Sequence, residues 1–507
     1  MHLLTVLIST VCLVQAAAFD NTRYDNLAVY WGQNSYGAVN AGDTANGQKT
    51  LSYYCQDNTI DVIPLAFVNV FFGIGGAPSM NLANTCNPTD NATFPSTALP
   101  DCSSLASDIK ECQSIGKIIT LSLGGATGSV GFTDDSQAES FAQTLWDDYF
   151  EGSSSTRPFG DAILDGIDLD IESGSSSYAT FLSKFRSLSG NASKKYYVSS
   201  APQCVFPDSA LGATLNASDF DMVYVQFYNN PCGLQHFNTS SDWDFGLWDN
   251  WARQTSINKD VKIYVGAPAS SSAAGSGYQD ISSLSAIAVQ MRNNFPSFGG
   301  IMLWDASEAY ANNRYDQAIK EVLVAAGGTG FTYAACSAPD YASGTAYQAG
   351  SQVSYDGYIW QANYDASSTP TNDPNSEWSA ISACAGGQSV SPSSTNTPTS
   401  SITPNTRSTS TRSSFTSITT SSSGVTRPSS SSSSNRHCSL VSMTTGISAS
   451  PTANSGSCAG VAAWSNGIAY TAGQRVVFDN HLYTAKYWTE NDTPGGKVKF
   501  YAALRQF

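Results

Sequence analysis

Charge is scarce in this chain. Of its 507 residues only 13% are Asp, Glu, Lys or Arg, and Lys+Arg number 24 against Asp+Glu 40, a formal net charge of -16; ordinary soluble domains are about a quarter charged. A chain so poor in cations has no basic stripe with which to replace phosphate counterions, so nucleic acid is not an expected partner and a neutral or cationic polymer fits better. Histidine is rarer still: there are 4, and after His2 only His236, His437 and His481 remain. Zinc centres and Ser-His-Asp triads draw on histidine, so both are poorly supported, and no metal or cofactor is expected. No segment is long and apolar enough for a membrane helix. The apolar run Leu3 to Val14 is too short to span a bilayer and leads into Ala16-Ala17-Ala18, the small-residue pattern of a signal-peptidase site. Residues 1–18 are therefore expected to be a cleaved leader, although its start has no Lys or Arg. The mature protein is expected outside the cell, secreted or wall-associated.

What is present fits that compartment. The chain has 11 cysteines, and losing Cys12 with the leader leaves an even number, none in a C-x-x-C pair, which favours disulfides over metal. N-x-S/T triplets stand at Asn91, Asn191, Asn216, Asn238 and Asn491, as in a glycosylated product.

Composition divides the chain. From Gly386 to about Asn435 it is nearly all Ser, Thr, Pro and small residues, with Phe415 the only aromatic. Such a segment cannot bury enough apolar area to offset chain entropy, so 386–437 is expected to be a disordered Ser/Thr-rich linker. On either side of it lies a repeat: Ala346-Tyr347-Gln348-Ala349-Gly350, Val353-Ser354-Tyr355-Asp356 and Ile359 to Tyr364 return as Ala469-Tyr470-Thr471-Ala472-Gly473, Val476-Val477-Phe478-Asp479 and Leu482 to Tyr487, at a constant offset of 123 residues. Short alternating strands and many aromatics predict two small β-rich modules, at 333–384 and 458–507. Cys336 and Cys384 bracket the first copy. Cys438 and Cys458 precede the second and can pair with each other.

The region 19–328 alternates apolar runs with amphipathic stretches. The runs Ala28–Tyr30, Val62–Val70, Ile118–Leu123, Gly166–Ile171, Tyr197–Ala201, Met222–Phe227, Lys262–Gly266 and Gly300–Leu303 read as buried strands. Helix-like patterns lie at Ala138–Phe150, Tyr178–Leu188, Leu284–Asn294 and Tyr315–Ala325. Eight such units predict an α/β fold, a (β/α)8 barrel with its site at the C-terminal ends of the strands. Periodicity alone also permits a doubly wound sheet.

The stretch Asp165-Gly166-Ile167-Asp168-Leu169-Asp170-Ile171-Glu172 carries the chemistry. At strand period, Asp168, Asp170 and Glu172 share one face and the Ile and Leu residues share the other. Crowding like charges raises at least one pKa and creates a general acid, and Glu172 stands nearest the strand's C-terminal end. A calcium loop is disfavoured, because Ser173 and Ala179 occupy positions that need Gly and Glu. The pattern Asp165-x-x-Asp168-x-Asp170-x-Glu172 resembles the signature of glycoside hydrolase family 18. Its context resembles the class III plant and fungal chitinases: Tyr30-Trp31-Gly32-Gln33-Asn34, Leu121-Ser122-Leu123-Gly124-Gly125, Ala201-Pro202-Gln203-Cys204, Val225-Gln226-Phe227-Tyr228-Asn229-Asn230 and Leu303-Trp304, in order.

The resemblance implies retaining hydrolysis of β-1,4-linked N-acetylglucosamine with the substrate's acetamido group as nucleophile, an exception to two-carboxylate glycosidases. It implies that Glu172 is acid and then base, Asp170 holds the acetamido N–H, Asp168 shares a proton with Asp170, and Tyr228 orients the acetamido group. Asp165, out of phase, is expected to support the strand. Trp304 is expected under the sugar, with Gln33, Gln226 and Tyr30 as further substrate contacts. The resemblance also implies the pairs Cys55–Cys112, Cys86–Cys102 and Cys204–Cys232. The short interval from Gly266 to Gly300 leaves no room for a cleft-walling domain, so endo cutting in an open groove is expected. Ala485-Lys486-Tyr487-Trp488-Thr489 resembles a chitin-binding module motif, with Trp464, Tyr483, Tyr487 and Trp488 as stacking candidates; in the first copy Asp365 replaces Trp488. The expected protein is a monomeric secreted endochitinase acting on chitin or its oligosaccharides. The alternatives are a silent chitin-binding lectin on the same barrel and an endo-β-N-acetylglucosaminidase acting on glycans.

Overall fold

The computed structural model describes residues 18–173 and 176–385, and beyond them 463–465, 469–470, 475–478, 481–485, 489–490 and 501–503. The expected leader up to residue 17, the linker 386–437, Cys438, Cys458, Tyr487, Trp488 and Asn491 lie outside the described residues.

Strands β1 (Asn26–Val29), β2 (Val62–Val68), β3 (Ile118–Gly124), β4 (Gly166–Asp170), β5 (Tyr197–Ser200), β6 (Met222–Gln226), β7 (Lys262–Pro268) and β8 (Phe298–Trp304) pair in chain order, and β8 returns to β1 in parallel. That closed barrel removes the doubly wound alternative. Helices Ala106–Ser114, Asp135–Tyr149, Tyr178–Ser189, Ile281–Asn294 and Tyr315–Ala326 lie among and after the strands. The Asp134 and Asp280 side chains cap two of them by accepting from the Gln137 and Ser283 amides.

The alternation along each strand sorts the core into two bodies. Leu121 and Leu123, Ile167 and Leu169, Val223 and Val225, and Ile301 and Leu303 face outward into the apolar layer under the helices. Ala28, Tyr30, Val62, Ala66, Met222, Tyr224, Tyr264 and Met302 form a second cluster inside the barrel. The polar inward positions of β3, β4 and β5 are what remain to build a site. Strands β7 and β8 run further than the apolar pattern suggested, because their ladder continues through Ala267↔Leu303 and Pro268↔Trp304. Strand β2 stops at Val68 and β4 at Asp170, short of the expected Val70 and Ile171. Gly124 sits at φ +116, and a Cβ there would collide with the Asp170 carbonyl. Glycine at this position lets β3 approach β4 closely at the end where the acids stand.

Disulfides join Cys55–Cys112, Cys86–Cys102, Cys204–Cys232 and Cys336–Cys384. The last closes the first repeat copy, a sheet of β9 (Ala334–Ala335), β10 (Gln352–Tyr355), β11 (Tyr358–Ala362) and β12 (Trp378–Ala385) in the order β10-β11-β12-β9. Its Trp360, Trp378 and Tyr358 are buried and continuous with the outer apolar layer of the barrel. Ser379 Oγ donates to the Ser240 carbonyl at 2.6 Å, and Asn294 Nδ2 donates to the Ile381 carbonyl at 3.3 Å. Any side chain on Gly246 would strike the Ala380 carbonyl, so the copy lies directly on the barrel's backbone there.

In the second copy β13 (Ala469–Tyr470) pairs with β16 (Thr489–Glu490), and β14 (Arg475–Phe478), β15 (His481–Ala485) and β17 (Tyr501–Ala503) form an antiparallel sheet. Val476 is buried, and Trp464 meets the Phe478 ring edge-on at 5.3 Å. The first copy repeats that contact with Tyr341 against Tyr355 at 5.5 Å.

Candidate active site

The β3–β4–β5 register brings Ser122 beside Asp168 and Asp168 beside Ser199. Asp168 is 0% exposed and accepts three hydroxyls: Tyr30 at 2.7 Å, Ser122 at 2.6 Å and Ser199 at 2.7 Å. Burial raises its pKa and the three donors oppose that rise. One step along the same face, Asp170 accepts from Gln226 Nε2 at 2.8 Å. Its pKa lies well above the carboxylate range, through burial first and then the charges of Glu172 and Asp168. Glu172 follows the strand, half-buried, with its carboxyl pushed up to about 7 by burial and by the Asp208 carboxylate.

These groups open on a cleft of roughly 340 Å³ whose lining includes Asp170, Glu172, Gln203, Gln226, Tyr228 and Trp304. Tyr228 is buried, and burial together with the nearby Asp170 and Glu172 charges holds its hydroxyl strongly protonated. Trp304, at the end of β8, is half-buried and stacks on Phe67 with ring centroids 5.8 Å apart and planes 17° from parallel. Its indole is thereby fixed as part of the cleft wall.

Of three further residues expected at the substrate, Gln33 and Gln226 line the cleft with their amide nitrogens engaged by protein groups, and Tyr30 lies beneath it. Tyr30 is 1% exposed and does not line the cleft; its hydroxyl belongs to Asp168. Gln33 lines the cleft, but its Nε2 serves the carbonyls of Gly32, Ala66 and Asn81 at 3.2, 2.8 and 3.0 Å. Gln226 gives both of its donors to Asp170 and to the Ala201 carbonyl, the latter at 2.8 Å. Buried amides must satisfy their donors, and backbone carbonyls and a carboxylate were nearer than solvent. Asp165 accepts from Gln113, the Ile119 amide and Lys194, and so ties strands and helices below the site.

Sequence reasoning placed Gln203 in a motif without assigning it a role and passed over Asp208. Asp208 is buried after β5 and accepts the backbone amides of Gln203, Ala210 and Leu211, while burial raises its pKa. The available signals were the acid five residues beyond Gln203, and small polar residues at inward positions of β3 and β5 for Ser122 and Ser199. Of the module aromatics, Trp464 is half-buried against Phe478 and Tyr483 is half-exposed on β15. Among the described residues no helix could cross a membrane, and no cluster of three or more His, Cys, Asp or Glu could hold a metal ion.

Barrel and cleft together define the class, a closed (β/α)8 protein with crowded carboxyls at the C-terminal end of β4. The model of glycosyl hydrolases family 18 matches residues 26–363, and the chain belongs to that family. A second model, carbohydrate-binding module family 5/12, matches residues 463–503. Similar curated proteins include Chitinase 2 of Rhizopus oligosporus, 44% identical over 305 residues, covering 60% of this chain and 53% of that protein. The Endochitinase of Saccharomyces cerevisiae is 41% identical over 333 residues, 64% of this chain and 55% of that protein. Endochitinase 33 of Trichoderma harzianum is 39% identical over 334 residues, 63% of this chain and 99% of that protein. The chain thus spans about half the length of the first two relatives.

Proposed function

We propose that the protein is a secreted chitinase that cuts β-1,4-N-acetylglucosamine linkages internally and with retention. The observation that carries this reading is the pairing in one cleft of Glu172, its carboxyl pushed up to about 7, with Asp170, which burial and the neighbouring Glu172 and Asp168 charges raise well above the carboxylate range. Relatives named as chitinases and the module match at 463–503 support chitin as the substrate. The four disulfides suit an oxidising compartment.

Glu172 gives its proton to the glycosidic oxygen as the bond to the anomeric carbon breaks. The acetamido carbonyl oxygen of the same sugar attacks that carbon and forms a cyclic oxazolinium ion. Asp170 accepts a hydrogen bond from the acetamido N–H and stabilises its growing positive charge, and Tyr228 orients the group. Asp168, caged by three hydroxyls, is the fixed partner whose field helps Asp170 keep a proton in the resting site. Water then opens the ring, Glu172 takes the water's proton, and the β-configuration is restored. Only helix Ile281–Asn294 and loops separate β7 from β8, which supports an open groove and internal cutting.

Defined chitin oligomers test the reading. The expected products carry the β-anomer when first released, and fully deacetylated oligomers stay intact. Inverted products, or equal cleavage of deacetylated chains, would overturn it, and intact acetylated oligomers would favour a lectin.

A further inference from the structure

Three side-chain amides beside the cleft, those of Gln226, Gln203 and Asn230, fix one another's orientation. The Ala201 carbonyl can only accept, so the Gln226 group 2.8 Å from it is the amide nitrogen, which also donates to Asp170. Gln226 Oε1 therefore faces Gln203, whose Nε2 lies 3.3 Å away. From the other side, the Tyr228 carbonyl accepts from Asn230 Nδ2 at 3.1 Å, and the same nitrogen donates to Gln203 Oε1. The Gln203 amide cannot flip without breaking both contacts. Its Nε2 points at Glu172 Oε2, 3.4 Å away. Asp208 Oδ2 holds the Gln203 backbone amide at 3.0 Å, and the Cys204–Cys232 disulfide ties the loop after β5 to the loop after β6.

We propose that Gln203 is a positioning residue of this site: by occupying Glu172 Oε2 it keeps the catalytic proton on Oε1 and then stabilises the carboxylate left when that proton moves to the leaving oxygen. The proposal rests on the reading of Glu172 as the general acid. The carbonyl oxygen of a protonated carboxyl is a better acceptor than its hydroxyl oxygen, so an N–H on Oε2 favours the tautomer of Glu172 that carries its proton on Oε1. After transfer, the Nε2–H bond becomes charge-assisted and strengthens, which is stabilisation specific to the later state. The same amide chain runs Asp170–Gln226–Gln203–Glu172, so one device registers both carboxyls. The titratable groups facing Glu172 are Asp170 on β4, Asp208 after β5 and Tyr228 after β6, none of them a cation. Gln203 is thus the neutral donor that favours the ionised form.

The test compares the full chain with Gln203→Met, which keeps length and loses the donor. Asn230→Ala, which frees the Gln203 amide to turn, serves as a second variant. The Glu172 pKa is read in the unliganded protein by carboxyl 13C NMR, with Glu172→Gln identifying the signal, and kcat and KM are measured on soluble chitin oligomers across pH. Gln203→Met is expected to raise that pKa by about half to one unit, to move the basic limb of kcat/KM up with it, and to lower kcat between about tenfold and a hundredfold with little change in KM. Asn230→Ala should shift both in the same direction by less. An unmoved pKa and limb overturn the proposal, whatever the rate. A shifted pKa in a protein that leaves oligomers intact would uphold the positioning and overturn the proposed function.

Discussion

The Tyr358 hydroxyl donates to Asp249 Oδ2 at 2.7 Å, joining the first repeat copy to the barrel through two buried groups. Asp249 Oδ1 is taken by the Ser297 amide at 3.0 Å and the Ser297 hydroxyl at 2.5 Å, and the Arg253 guanidinium lies 5.0 Å from the Tyr358 ring centre. A buried carboxyl held this way loses heavily when one donor goes, since the group cannot turn to water. Tyr358→Phe is expected to destabilise the protein by about 1–3 kcal/mol while oligomer cleavage at permissive temperature is unchanged. Denaturant melts followed alongside kcat check it. An unaltered midpoint would show that the copy is not anchored at this bond.

On the proposed mechanism Glu172 governs the pH profile. A general acid must be protonated in the free enzyme, and its upward shift to about 7 carries that form toward neutrality. The expected kcat/KM therefore falls as pH rises through about 7, where an ordinary glutamic acid would have lost its proton some units lower. Glu172→Gln keeps shape and hydrogen bonding but has no proton to give, so kcat is expected to drop by at least about a hundredfold with chitin binding retained. Substantial turnover in that variant would refute the assignment.

Tyr30 separates support from contact. Its hydroxyl reaches Asp168 and not the cleft, so Tyr30→Phe removes one of three donors to a buried carboxyl. With that donor gone the Asp168 pKa rises, its field on Asp170 weakens, and the acetamido-holding residue is less well prepared. The expected result is kcat lower by about tenfold and KM for oligomers within about twofold. A large rise in KM with kcat preserved would instead make Tyr30 a substrate contact.

The barrel was legible because alternation survives in its strands: Ile167 and Leu169 outward, Asp168 and Asp170 inward, is a pattern one segment declares alone. The roles of Tyr30, Gln33 and Gln226 were not legible, because an inward polar side chain can face solvent, substrate or a neighbour, and that choice is made by residues from other strands. Ser122, Ser199 and Asp208 show the same limit, since each matters only through a partner 46, 31 or 5 residues away. The fate of the first repeat copy was hidden for a related reason. Its aromatics read equally well as a sugar platform or as core, and only contact with Gly246 and Asp249 assigns Tyr358 and the adjoining sheet to the barrel's flank.

That difference between the copies sharpens the expectation for truncation. Removing everything after Gly386 leaves the barrel with its docked first copy and takes away the second copy, the segment matched by the carbohydrate-binding model. In the first copy Trp360 is 2% exposed and Asp365, at the place of Trp488, accepts the Ala349 amide at 3.2 Å, so that copy keeps the exposed Tyr364 at the place of Tyr487 but lacks the tryptophan beside it. A soluble oligomer reaches the cleft by diffusion and needs no anchor, whereas a solid surface rewards a second attachment by raising effective concentration. The truncated chain is expected to retain its kcat/KM on soluble oligomers within about twofold and to lose activity on insoluble chitin by about tenfold or more. Adding back the detached segment in trans should not restore the loss, because tethering is the source of the gain. Equal losses on both substrates would place the second copy in the folding of the barrel instead of on the surface of the polymer.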